Sequence, residues 1–89
     1  MSIELLNRDP GRFHDKEINV AGRVVNSFAV MDAGAFELDD GTGRLWVLSD
    51  RDTIPPHNAS ATVTGRIEQD LGFGGRTFVI ILRETRKHN

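Results

Sequence analysis

One tryptophan and a set of arginines are the side chains of this sequence with the most chemistry to offer. Nine of its eleven cations are arginine, whose guanidinium stacks on flat rings and bonds phosphate in bidentate fashion, as an ammonium cannot. Trp46 lies in AFELDDGTGRLWVLS, residues Ala35–Ser49, where apolar-rich runs at Ala35–Leu38 and Leu45–Leu48 flank Asp39-Asp40-Gly41-Thr42-Gly43. Strand formers on both sides of an Asp/Gly cluster predict a β-hairpin. Strict alternation assigns Phe36, Leu38, Leu45 and Val47 to a core face. Ala35, Glu37, Asp39, Arg44, Trp46 and Leu48 fall on the outer face, a large aromatic among charges. A nucleobase stacked on such a ring contributes ~1–3 kcal/mol. Arg23, Arg44 and Arg66 are expected to point outward and meet phosphates, with Arg23 across from Trp46. Glu37 and Asp39 on the same face oppose a phosphate backbone. Val25 and Leu48 suit a different occupant, a homodimer or partner protein packed over Trp46, and a terminal segment could cover the ring instead.

Other chemistries find no support. Without cysteine there is neither a disulfide framework nor a thiolate metal site. His14, His57 and His88 share no ligand spacing, and Asp39-Asp40-Gly41 lacks the D-x-D-x-D-G spacing of a calcium loop; turn formation through Asx hydrogen bonds explains it. Ser27, Ser49 and Ser60 sit in no G-x-S-x-G elbow. No enzyme, cofactor or metal is expected. Gly72-Phe73-Gly74-Gly75 lacks the G-K-[ST] ending of a phosphate loop and reads as a hairpin loop with Phe73 folded onto the barrel rim, or else as a mobile aromatic finger, with Arg76 opening the next strand. The formal charge of −2 weighs against binding nucleic acid through bulk charge.

These residues must be positioned by short strands. Ser2–Arg8 predicts a helix capped by Ser2, stopped at Asp9-Pro10-Gly11, with Phe13 as an anchor before the sheet. Ile18–Met31 is the first strand, its Ile18, Val20, Gly22 and Val24 inward, and Asp32-Ala33-Gly34 turns into the central hairpin. Asp50–Asn58 holds two prolines and reads as a loop with Ile54 tucked under the sheet. Ser60–Gln69 is the fourth strand, with Ala61, Val63, Gly65 and Ile67 inward, Asp70–Gly75 a connection, and Arg76–Thr85 the fifth. The whole chain, 1–89, is expected to be one domain, its sheet spanning 17–85 and residues 86–89 fraying. No apolar run approaches a membrane span and none follows Met1 as a secretory signal would, so a cytoplasmic protein without a membrane partner is expected.

Glycines inside the first and fourth strands mark sharp bends, and five short strands in so small a chain predict a small closed or partly open barrel. Val20-Ala21-Gly22-Arg23-Val24, Phe36–Leu45 and Ala61–Ile67 carry a resemblance to the OB-fold family of nucleic-acid-binding domains, over about Phe13 to Thr85. The resemblance implies an all-β, five-stranded OB-fold barrel with a short N-terminal helix. It also implies a non-catalytic module for single-stranded DNA or RNA of low sequence preference, with Arg23, Arg44, Trp46, Arg66, Phe73 and Arg76 as its contacts. OB domains also bind oligosaccharides and proteins, so an interaction or oligomerisation module on the same face is the alternative. The Pro-containing connection after the third strand departs from the helix many OB folds carry there.

Overall fold

The computed structural model describes residues 1–86. Its elements follow the order α1 (Ile3–Arg8), β1 (Glu17–Val30), β2 (Ala33–Asp39), β3 (Arg44–Asp50), β4 (Ser60–Phe73) and β5 (Arg76–Arg86), with single 3-10 turns at Pro10–Phe13 and Arg51–Thr53. The sheet closes on itself in the order β1-β2-β3-β5-β4, with β4 returning to β1. All pairings are antiparallel except the short parallel contact of β3 with β5. The protein is therefore all-β, a closed five-stranded sheet with one short helix.

Alternation within the hairpin is as expected: Phe36 pairs with Val47 and Leu38 with Leu45, all buried. These side chains meet Val20, Val24, Val63, Ile67 and Leu82 in the core, and Ile3 and Leu6 of α1 plug one end. The Ser2 hydroxyl accepts from the Leu5 N–H and caps that helix. Phe13 anchors the lead-in and Ile54 packs from the connection after β3, its side chain lying over Gly34, where no Cβ would fit.

Several boundaries differ from expectation. The connection expected over Asp70–Gly75 is mostly strand: β4 runs to Phe73 and only Gly74 and Gly75 turn the chain. Both have positive φ, +62° and +77°, the two left-handed residues that a tight hairpin with native strand twist demands. Likewise β1 ends at Val30, and Met31-Asp32 rather than Asp32-Ala33-Gly34 make the next turn. Ala35, expected on the open outer face, is fully buried. Arg86, expected to fray, pairs with Thr64 in β5; the rest of that tail, 87–89, and with it His88, lies outside the described residues.

Candidate ligand groove

A single extra residue in β1 decides what surrounds Trp46. Val24 pairs with Leu38 and Asn26 with Glu37, leaving Val25 unmatched as a β-bulge. A bulge exchanges the faces of everything beyond it. Up to Val24 the even-numbered residues face the core; past the bulge Ser27 pairs with Phe36, and Phe28 falls on the outer face opposite Ala35. Across the three strands one row then reads Asn26, Glu37, Trp46. Trp46 thus stands across from Glu37, not from Arg23 as expected. The Asn26 Nδ2 donates to Glu37 Oε1 at 2.8 Å.

The β4–β5 hairpin closes over the same face. Asp70 has a left-handed backbone, φ 56°, within β4, which bends the strand ahead of its turn. Gly74 then rests on Phe28: a Cβ there would lie 2.6 Å from Phe28 Cε2. Phe73 is consequently held at a strand end with its ring 5.4 Å from that of Phe28. Phe28 also meets Trp46 edge-on at 5.5 Å, and Phe78 lies 5.5 Å from Trp46. Four of the chain's six aromatic rings therefore converge here. The Arg76 guanidinium carbon sits 5.0 Å from the ring centres of Trp46 and of Phe78, and 5.7 Å from that of Phe28, within cation–π range. Between the two hairpins lies a groove of about 490 Å³ lined by Asn26, Ser27, Phe28, Glu37, Trp46, Gly74 and Arg76.

Of the residues singled out from sequence, Trp46, Phe73 and Arg76 come together. Arg44 shares the outer face two positions along β3 from Trp46 and is paired with Asp39 at 3.3 Å. Arg23 is exposed in the same cross-strand row as Asp39 and Arg44. Arg66 does not join them: it pairs with Glu17 across β4 and β1, and its guanidinium donates to the Asp15 carbonyl at 3.1 Å. Phe28, Phe78 and Asn26 were missed. The adjacent Val24-Val25 pair breaks strict alternation and was the signal for the bulge. Phe78 gave none, because the run Phe78-Val79-Ile80-Ile81-Leu82 hides its own period.

The Asp39–Gly43 turn holds the helix. Asp40 Oδ2 accepts from the Ile3 N–H at 2.9 Å, while Oδ1 accepts from the Thr42 hydroxyl at 2.6 Å and from the N–H groups of Thr42 and Gly43. Partial burial pushes the Asp40 carboxyl up, but these hydrogen bonds together outweigh it and hold the group below its ordinary value. Gly41 supplies the positive φ, +88°. Among the described residues no group of three or more His, Asp or Glu side chains is placed to hold a metal ion, and no helix is long and apolar enough to cross a membrane.

No family model and no curated protein matches this chain. Among solved structures, an OBody bound to hen egg-white lysozyme matches with a TM-score of 0.64 at 15% identity, covering 84% of this chain and 81% of that one. That likeness is one of fold.

Proposed function

We propose that this protein is a non-catalytic binding module of the OB-fold type, taking single-stranded nucleic acid in the groove between the β1–β2 and β4–β5 hairpins. The strand order and the likeness to the OBody fold support the fold half of this reading. In OB folds the face of the second and third strands, flanked by the first and last hairpin loops, takes oligonucleotides. The observation that carries the ligand half is Trp46, half-buried in that groove beside Phe28 and under an exposed Arg76. A flat base can stack on such a ring once the guanidinium swings aside to a phosphate or onto the base itself.

The test is a titration of short labelled DNA and RNA oligomers at low salt, read by quenching of the single tryptophan and by anisotropy. Trp46→Ala is a poor variant because Trp46 packs against Phe28 and Phe78, so its loss costs stability as well. Trp46→Leu keeps part of the apolar bulk and removes the stacking face; binding should weaken by ~1–3 kcal/mol, with a thermal melt run beside it to separate any loss of stability. If no oligomer binds at tens of micromolar, the reading is wrong.

A second reading has its own support. Met31 and Val79 are 82% and 73% exposed and Val30 is 39% exposed, and the OBody is bound to a protein, lysozyme. An interaction module using these side chains predicts no quenching by oligonucleotide and a concentration-dependent oligomer in sedimentation that Met31→Ser or Val79→Ser dissociates.

A further inference from the structure

The two walls of the groove carry opposite chemistry. On one side is Glu37, directly paired with Trp46 across β2 and β3, where facing side chains start about 5 Å apart. Its Oε1 accepts from Asn26, and the residue lines the groove with Trp46. Glu37 enters no ion pair among the described residues. A carboxylate offers about four acceptor sites over two oxygens, so one amide contact leaves acceptor capacity for a ligand in the groove. On the other side is Arg76, exposed and seated over Trp46, a fork of donors with no acceptor. A phosphate is repelled by the first wall. A base stacked on Trp46 meets an acceptor on one edge and a donor fork on another.

Resting on the nucleic-acid reading of this groove, we infer that its central position prefers guanine. Guanine presents two adjacent donors, N1–H and the N2 amino group, which match a carboxylate, and two adjacent acceptors, O6 and N7, which match a guanidinium. Arg to guanine O6/N7 is the commonest specific base contact in protein–DNA recognition. Adenine puts an acceptor, N1, where guanine has a donor. Thymine and uracil have one donor flanked by two carbonyl oxygens, which face Glu37 unfavourably. Cytosine offers its N4 amino group to Glu37, but its acceptors lie on that same edge. Only guanine offers two matching contacts to each wall; adenine and cytosine offer one to each at most. Arg76 would leave the indole face as the base enters and move to the base's edge.

The experiment uses thymidine pentamers with one central base replaced by guanine, by hypoxanthine (guanine without its N2 amino group) or left as thymine. Each is titrated into the full chain and into Glu37→Gln by fluorescence anisotropy. A single guanine avoids self-association of the strand. The guanine pentamer should bind about tenfold or more tightly than the thymine one, within the range a good bidentate contact gives, with hypoxanthine between them. In Glu37→Gln the guanine-to-thymine ratio should collapse towards one. Equal binding of the guanine and thymine pentamers by the natural chain overturns the inference while leaving the binding module standing. A ratio that survives Glu37→Gln overturns the role given to that carboxylate. Absence of binding by all three removes the groove's nucleic-acid reading and this inference with it.

Discussion

Asp40 shows how one carboxylate can be mistaken for turn chemistry alone. The spacing of Asp, Gly and Thr explains its contacts to Thr42 and Gly43, and these alone would make Asp40→Asn harmless, since Asn forms the same turn. The fourth contact, from the Ile3 N–H to Oδ2, spans thirty-seven residues and is invisible to local reading. Asn keeps one acceptor oxygen, so either the turn or the helix anchor is lost, and Asp40→Asn should cost about 1 kcal/mol of stability at neutral pH. A chemical denaturation midpoint compared with the natural chain measures this. The same carboxylate has a pH signature. Its folded value lies below the ordinary 3.8, so the stabilisation is fully present above that value and is lost as pH falls below it, through the lower folded one. Helix α1 should be among the parts that loosen, and the protection of the Ile3 amide relative to its intrinsic exchange rate, followed from neutral pH downward, should fall ahead of that of Val20 or Val63. If Ile3 stays protected to the point of global unfolding, Asp40 is not what holds the helix.

At the scale of elements, two glycines do the curling that closes the sheet. A Cβ at Gly65 would lie 2.2 Å from the Arg83 carbonyl oxygen, and one at Gly22 would lie 2.9 Å from that of Asp39. Neither neighbour is a side chain that can turn away. Gly65→Ala should therefore destabilise by about 3 kcal/mol or more and Gly22→Ala by about 1–2 kcal/mol. Thermal melts that place the two variants in the reverse order would contradict the geometry. The glycines, the central hairpin and its core-facing residues, the capped helix and the anchor at Phe13 were all legible in the sequence, because each rests on a local signal: period two, a turn cluster, a cap. The β-bulge at Val25 was less so. It depends on what lies opposite, and it turns Phe28 to the groove. The path of β4 past Asp70 was hidden too, since an aspartate with positive φ inside a strand has no propensity signal. Trp46 could thus be found from alternation, but its companions Phe28 and Phe78 could not. Arg66 was assigned to the site because outward-facing had been equated with facing the same way, and on a closed sheet outward points in every direction.

The whole molecule sets the strength of any polyanion binding. With thirteen acidic residues against eleven basic ones, long-range attraction is weak, and the groove itself mixes Arg76 with Glu37. Arg44 is already paired with Asp39, and Arg66 is turned to Asp15 on another wall. On strands without guanine, where Arg76 is free to take a phosphate, two or three phosphate contacts, from Arg76, Arg23 and a released Arg44, are all this surface supplies. Single-stranded binding changes by a log–log salt slope of about −0.7 per phosphate neutralised, so the slope should be roughly −1.4 to −2.1. Between about 50 and 200 mM salt, affinity should then fall by roughly sevenfold to twentyfold. Affinity that survives high salt this well must come from stacking, so Trp46→Leu should lower the binding constant while leaving the slope nearly unchanged. Arg76→Gln should do the reverse in part, making the slope shallower by about one contact. These two variants separate the contributions because one removes a ring and the other a charge from the same groove. A slope several times steeper would mean that strands bind elsewhere, through cations that the groove does not hold. A slope near zero with retained binding would leave no phosphate contact at all, and would turn the proposal towards a ligand recognised by its ring alone.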